Sequence, residues 1–274
     1  MPSRQITSPA IILAVFLLFS KAAAGQALED RVFTFGVVPQ QASEKLAKQW
    51  IPLMSALSEQ TGLTIEFATA PSITEFEDRL TRGLYDFAYM NPYHFTVFNQ
   101  EPGYVAIARQ KDHVIRGIIV VSSNLKVESL GQLAGKNLAF PAPNSFAATL
   151  ITRAFLDEAA PGYTATFVNS HDSVYRSIAK GIFAGGGGIV RTLNEVSPDL
   201  QRELEVLWLS PGYTGHAFAA HPRVSKHIRE TVQRALTNMA SSENGELIVS
   251  ELGMNEFTEA VDSDWDDVRA LSIK

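Results

Sequence analysis

The chain has 274 residues, 46% of them hydrophobic, a size that suffices for two α/β lobes or one large domain. Its 29 Asp and Glu outnumber its 23 Lys and Arg, and the net charge of −6 argues against binding nucleic acid or anionic membranes through a basic face. Cysteine is absent, which excludes disulfides and a cysteine-linked lipid anchor.

The first residues predict a cleaved secretory signal. Arg4 supplies a positive start, residues 10–19 are apolar, and three alanines at 22–24 suit a signal peptidase. A permanent membrane anchor is the less favoured alternative, because a spanning helix needs about 20 apolar residues. We therefore expect residues 1–24 to be removed and the rest of the chain to be exported.

Short strands and helices alternate in the first part of the chain. Alternation in units this short predicts a parallel sheet with right-handed crossovers. The predicted strands are 32–38, 63–68 and 105–108, and the predicted helices run through 46–57 and 73–82.

The stretch Tyr85–His94 predicts a strand that passes directly into a helix. It begins as an apolar run typical of a strand buried on both faces, and Asn91-Pro92 is typical of a helix N-cap followed by proline. Free backbone N–H groups and the helix dipole favour an anion at such a junction. Asn91, Tyr93 and His94 are therefore candidate ligand residues.

The strand and helix pattern restarts at Arg116 and changes again near residues 213–216. We expect the chain to cross between two lobes at 111–113 and at 213–216. Residues 28–113 and 216–274 would then form a discontinuous first lobe, and 114–215 the second. The predicted strands are 117–121, 137–140, 166–169, 204–209 and 216–220, and the predicted helices are 128–133, 146–159, 170–181, 225–239, 245–252 and 264–271.

Four polar loops follow predicted strands, at residues 39–43, 91–94, 144–145 and 170–173. In open α/β sheets ligands bind beyond the carboxyl ends of strands, so these loops could converge on one crevice. Asn, Ser and Asp in such loops also serve as ordinary helix caps. Capping does not explain the histidines and tyrosines beside them, which are His94, His171, Tyr93 and Tyr175.

The run His171-Asp172-Ser173 permits a hydrolase as a remote alternative. Neighbours on one helical turn point apart, whereas a triad gathers its members from separate parts of the chain. The six histidines show no metal-ligand spacing, so neither a metal nor a cofactor is predicted.

Gly185–Gly188 matches no nucleotide fingerprint and indicates either a close backbone approach or a hinge-side turn. Arg191 is the only cation at that junction.

The chain resembles the phosphate/phosphite/phosphonate substrate-binding proteins of ABC importers, from about residue 33 to about residue 239. The resemblance implies a type II periplasmic binding protein, in which two α/β lobes joined by a two-crossing hinge close around a small ligand without catalysis. The matching motifs are Phe35–Pro39, Gly83–Ala88, Leu130–Lys136 and His171–Tyr175.

The resemblance also assigns residues and exposes departures. It implies that His171 is the family's ligand-facing histidine and that Tyr93 is an aromatic contact from the first lobe. Of the hydroxyl run usual at the start of the helix at 146–159, only Ser145 is present. The acid usual after Gly181 is absent.

These arguments predict a periplasmic solute-binding protein, not an enzyme, that closes on a small oxyanion. It would be a monomer that partners an ABC permease or, as the alternative, a membrane sensor kinase, and it would not bind nucleic acid. The predicted ligand residues are Asn91, Tyr93, His94, Ser145, His171, Asp172, Ser173, Tyr175 and Arg191.

Overall fold

The computed structural model describes residues 31–271, so the predicted signal peptide lies outside the described residues. No helix in this range is long and apolar enough to cross a membrane. The strands, in chain order, are β1 (Val32–Val37), β2 (Thr64–Ala68), β3 (Phe87–Met90), β4 (Val105–Gln110), β5 (Val114–Ile115), β6 (Gly117–Ser122), β7 (Asn137–Phe140), β8 (Thr164–Phe167), β9 (Gly185–Ile189), β10 (Leu204–Leu209), β11 (Tyr213–Thr214), β12 (Ala217–Ala220) and β13 (Phe257–Glu259).

Helices pack on these strands, and several are joined to short turns of other types. Three 3₁₀ turns span Leu130–Leu133, Met239–Ser241 and Asp262–Trp265, and a π-helical turn spans Phe146–Ile151. The α-helices are α1 (Ser43–Thr61), α2 (Ile73–Thr81), α3 (Pro92–Phe98), α4 (Thr152–Ala159), α5 (His171–Ala179), α6 (Val190–Asn194), α7 (Pro198–Arg202), α8 (Lys226–Thr237), α9 (Glu243–Glu251) and α10 (Asp266–Arg269).

The strands form two large sheets, and each is the centre of one α/β lobe. The first lobe is built on a six-stranded sheet in the order β13-β4-β12-β3-β1-β2. The second lobe is built on a five-stranded sheet in the order β10-β6-β9-β7-β8. The predicted α/β fold of two lobes is therefore confirmed.

Two chain segments connect the lobes, and they pair with each other. β5 in the first segment and β11 in the second form an antiparallel ribbon in which Tyr213 lies opposite Ile115. The carboxyl-terminal part of the chain braces the second segment, because Trp265 Nε1 donates to the Gly215 carbonyl oxygen over 2.8 Å. The Asp267 carboxylate accepts from the Thr214 backbone N–H at 2.7 Å. This ribbon is the hinge.

The parallel arrangement predicted for the first part of the chain is present in β1, β2 and β3, and strands from later in the chain add antiparallel pairs to both lobes. β1 is parallel to β2 and β3, but β12 is antiparallel to β3 and β4. In the second lobe β6 is antiparallel to β9 and β10. The physical reason lies in the crossings: β4 leads towards the hinge and β12 leaves it, so these neighbours must run in opposite directions.

The four glycines at 185–188 lie in β9, the central strand of the second sheet, and not in a hinge-side turn. A Cβ on Gly187 would lie 1.8 Å from the Ala148 carbonyl oxygen, and one on Gly117 would lie 2.2 Å from the Ala147 carbonyl oxygen. The π-helical turn thus rests directly on the backbone of β6 and β9. The predicted close backbone approach is confirmed, and it brings the start of the 146–159 helix against the sheet.

Candidate functional site

Gln40, in the loop between β1 and α1, makes three hydrogen bonds, and the two to His171 and Arg191 join the lobes. Its carbonyl oxygen accepts from the His171 backbone N–H at 3.0 Å, and its Oε1 accepts from the Arg191 guanidinium. Its Nε2 lies 3.1 Å from His216 Nε2. Because Oε1 faces a donor, Nε2 is the group that faces His216, and His216 Nε2 must be the unprotonated acceptor.

A second contact between the lobes lies at the start of the 146–159 helix. Asn91 Nδ2 donates to the Asn144 carbonyl oxygen at 3.1 Å, and Asn144 Nδ2 donates to Glu77 Oε2 at 3.3 Å. Glu77 Oε1 in turn lies 2.8 Å from His94 Nε2. His94, which is buried, therefore supports the wall of the cleft through Glu77.

The third contact is ionic and partly buried. Lys45 Nζ donates to the Glu195 carbonyl oxygen at 2.7 Å and lies 3.7 Å from Glu195 Oε2. Glu195 Oε1 also pairs with the Arg191 guanidinium at 3.3 Å. The lobes are thus in contact along the cleft, and Arg191 lies at its centre.

A cavity of about 200 Å³ lies between the lobes on the hinge side of Arg191. The ring of Tyr89 forms part of its wall and stacks on His216 with the ring centroids 4.9 Å apart. The residues that line it are Tyr89, Gln110, His113, Val114, Ile115, Arg116, Ile189, Val190, Arg191 and His216.

Burial and the charge of Arg191 keep the surrounding histidines neutral. Burial, followed by the Arg191 charge, lowers the pKa of His171 to about 3. The same two causes lower the pKa of His113 and hold the pKa of His216 well below its usual value. Because these histidines are neutral, the positive charge here comes from Arg191, whose side chain is only 15% exposed.

His171 carries a polar atom that is buried without a partner. Its side chain is fully buried at the start of α5, and Nδ1 lies 3.2 Å from Thr192 Oγ1. Among the residues that the structure describes, its Nε2 has no hydrogen-bond partner, and the same is true of the side-chain amide of Gln41 and the hydroxyl of Thr149. Buried polar groups without partners are rare, and such a group beside a cleft points to a ligand.

Besides His171 and Arg191, four of the predicted ligand residues lie along the cleft or directly behind it. Asn91 caps α3, where its Oδ1 accepts from the His94 backbone N–H at 2.8 Å, as predicted. Tyr93 is partly buried against the core of the first lobe. Ser145 is buried, and its hydroxyl makes no hydrogen bond within residues 31–271.

Of the three other predicted ligand residues, Tyr175 is turned away from the cleft, and Asp172 lies near Lys45 and Glu195 at the contact between the lobes. The Tyr175 hydroxyl is buried inside the second lobe, 3.1 Å from the Ile189 carbonyl oxygen and 2.8 Å from Thr192 Oγ1, and burial raises its pKa. The Ser173 hydroxyl lies 2.9 Å from the Ser170 hydroxyl. Asp172 lines an open surface depression of about 580 Å³. With Ser173 bonded to Ser170 and His171 bonded to Thr192, the arrangement of a hydrolase triad is not formed.

The structure adds cleft residues that the sequence did not single out: Gln40, Gln41, Tyr89, Thr149 and His216. Gln40 and Gln41 lie in one of the four loops predicted to converge on a crevice, but an amide in a loop carries no pattern of its own. Tyr89 was predicted as part of a buried strand, which is correct for its backbone. The stacking of Tyr89 on His216 depends on how β3 pairs with β12, and this pairing is not visible in the sequence.

Two α/β lobes that are joined by two crossings and meet over a polar cleft define a type II periplasmic binding protein. Solved structures of this fold agree. The structure of PhnD1 from Prochlorococcus marinus in complex with methylphosphonate matches with a TM-score of 0.80 at 19% identity, covering 88% of this chain and 97% of that one. A binding protein component of an ABC phosphonate transporter from Pseudomonas aeruginosa also gives a TM-score of 0.80, at 16% identity, covering 88% of this chain and 85% of that one.

Sequence comparison shows the family. The model of the family described as "ABC transporter, phosphonate, periplasmic substrate-binding protein" matches residues 35–265, and the chain belongs to this family. The probable ABC transporter phosphite binding protein PhnD1 of Prochlorococcus marinus is 24% identical over 243 residues, which are 81% of each chain. The phosphonates-binding periplasmic protein of Escherichia coli is 18% identical over 260 residues, covering 89% of this chain and 77% of that protein.

Proposed function

We propose that this protein captures a small phosphorus oxyanion, such as phosphite, phosphate or a phosphonate, in the periplasm and delivers it to an ABC permease. The observation that carries the proposal is that Arg191 and the unpartnered, fully buried Nε2 of His171 belong to two residues that both bond to Gln40 where the two lobes meet. The permanent charge of Arg191 and the unpartnered Nε2 of His171 could both interact with a compact anion. The names of the relatives, which specify phosphite and phosphonates, support the same ligand class.

In the proposed complex the second lobe supplies most of the recognition. His171 Nδ1 lies 3.2 Å from Thr192 Oγ1, and we propose the tautomer in which Nδ1 accepts and Nε2 carries the proton that is donated to an oxygen of the anion. Arg191 provides charge-assisted hydrogen bonds, and the free hydroxyl of Ser145 provides another donor. The nearby start of the 146–159 helix adds unpaired backbone N–H groups.

Gln40 couples recognition to closure. Gln40 is part of the first lobe, whereas Arg191 and His171 belong to the second, so its hydrogen bonds exist only when the lobes are together. A ligand held by Arg191 and His171 that also contacts the first lobe beside Gln40 gains those first-lobe contacts in the closed state alone. Binding therefore shifts a two-state hinge equilibrium towards closure.

Three further points belong to this proposal. The lobe boundaries lie at residues 113/114 and 215/216, beside the two strands of the hinge ribbon. The protein acts as a monomer. The sensor-kinase alternative gains no support from the family match, and we propose the permease as the partner.

A calorimetric titration tests the proposal. Phosphite, phosphate and methylphosphonate are titrated into the mature protein beside sulfate and acetate, and at least one phosphorus oxyanion is expected to bind far more tightly than acetate. Arg191→Gln should weaken that binding by roughly 30-fold or more, because it removes charge-assisted hydrogen bonds worth about 1.5–3 kcal/mol each. Arg202→Gln, at an exposed position, is the matched control and should leave affinity unchanged. Failure of all three phosphorus oxyanions to bind at millimolar concentration would overturn the proposal.

A further inference from the structure

The cavity beside Arg191 extends the anion site in one direction. Arg191 forms part of its wall, whereas His171 and Ser145 do not line it. The cavity therefore runs from the guanidinium towards the hinge, away from the other groups proposed to hold the anion. A substituent on that anion would enter it.

The wall of this cavity combines apolar residues with two arginines and three neutral polar residues, Gln110, His113 and His216. The side chains of Val114, Ile115, Ile189 and Val190 and the ring of Tyr89 supply its apolar surface. Two arginines, Arg116 and Arg191, are also in the wall, while none of the ten described lining residues is acidic. The nearby Glu195 is engaged by Arg191 and Lys45 and does not line the cavity.

The two neutral histidines in the wall do not change this balance. His216 Nε2 accepts from Gln40, and burial lowers the pKa of both His113 and His216. Neither residue therefore presents a negative group to a substituent. An ammonium group placed here would lose its hydration, lie near two guanidinium groups and find no carboxylate.

We infer that the hinge-side cavity selects anions with a short, uncharged alkyl substituent and rejects anions that carry an amine. This inference rests on the proposed function and specifies its substrate class. At about 30 Å³ for each water, the cavity of about 200 Å³ has room for roughly seven waters, which is more than a chain of two or three carbons needs. Each added methylene is expected to tighten binding roughly fourfold until the cavity is filled.

The test is a titration of the mature protein with methyl-, ethyl-, propyl- and 2-aminoethylphosphonate. The last two have the same number of heavy atoms and differ at the end of the chain, where one has a methyl group and the other an ammonium. Affinity is expected to rise from methyl to propyl, and propylphosphonate to bind at least roughly tenfold more tightly than 2-aminoethylphosphonate. Equal or tighter binding of the amine, or no gain from methyl to propyl, would overturn the inference.

A variant pair locates the effect in the cavity. Val114→Asp places an acid in the wall at a half-exposed hinge position, and it should reduce the preference for propyl- over 2-aminoethylphosphonate by roughly tenfold. Val206→Asp, at a similarly exposed position on β10 outside the cavity, should leave the preference unchanged. An unchanged preference in a folded Val114→Asp variant would contradict the inference.

The same titrations separate the two proposals. If phosphite or phosphate binds but the alkyl phosphonates do not follow the expected order, the inference fails and the proposed function stands. If no phosphorus oxyanion binds, the proposed function fails.

Discussion

Burial of His171 sets the chemistry that it can offer in the cleft. A ring whose pKa is about 3 remains neutral at any ordinary periplasmic pH, so it recognises a ligand through a hydrogen bond and not through charge. The charge comes from Arg191. This division of roles means that the tautomer of His171, held by Thr192, decides whether Nε2 donates or accepts.

Because the folded protein keeps His171 neutral, its stability should depend on pH. The unfolded histidine binds a proton below about pH 6.5, and the folded one does not until about pH 3, so the unfolded state is favoured increasingly as the pH falls between these values. This histidine alone contributes a slope of about 1.4 kcal/mol per pH unit. Urea unfolding from pH 7 to pH 4 measures it.

The comparison that isolates this residue is between two histidine variants. His171→Gln should show a shallower loss of unfolding free energy below pH 6 than the wild type, whereas His227→Gln, at an exposed site, should follow the wild type. Parallel pH profiles for wild type and His171→Gln would show that His171 is not held neutral by the fold.

Among individual site residues, the sequence predicted those whose side chains are distinctive at their position and missed those whose side chains are common in loops. His171, Ser145 and Arg191 stood out because a histidine, a lone hydroxyl and a lone cation lay at strand-to-helix junctions. Gln40 did not, because an amide takes its role from partners more than 100 positions away in the chain. Tyr175 was assigned to the ligand, but its side chain points into the second lobe.

Among the elements, β9 determines how closely the 146–159 helix can approach the second sheet. Its glycines leave space for the π-helical turn, whose carbonyl oxygens lie where side chains would otherwise be. Glycine has a low preference for the extended conformation, so a strand with four glycines depends on its neighbouring strands for stability. β6 and β7 pair with it on either side.

Gly187→Ala should therefore be strongly destabilising. The new Cβ would lie 1.8 Å from the Ala148 carbonyl oxygen, which is backbone and cannot rotate away. We expect a loss of about 3 kcal/mol or more in the free energy of unfolding, measured with urea. Gly131→Ala is the control, because its Cβ would meet its nearest neighbour at 3.4 Å, and it should change stability by less than about 1 kcal/mol. Similar values for the two variants would show that the close approach is not needed.

Elements with a clear hydrophobic pattern in their own sequence were predicted well, and those defined by pairing with a distant segment were not. β7 and β10 have the predicted bounds, and the helix predicted at 146–159 is present as a π-helical turn followed by α4. β8 lies two residues before its predicted position. The two-residue strands of the hinge were missed because pairing with another segment, not side-chain alternation, creates them.

For the whole molecule, the contacts between the lobes describe a closed form. Gln40, Asn91 and Lys45 of the first lobe each bond to the second, while the hinge ribbon holds the two crossings together. The two-lobe α/β fold followed from the sequence, since the restart of the pattern marks a new lobe. The antiparallel strands did not, because their direction depends on where the chain re-enters a sheet.

A crystal structure of the mature protein with phosphite or methylphosphonate tests the central claim most directly. We predict that the phosphorus group lies between the lobes, with its oxygens within hydrogen-bond distance of the Arg191 guanidinium and of His171 Nε2. A ligand bound elsewhere on a closed molecule, or a cleft in which Arg191 and His171 make no contact with it, would contradict the account.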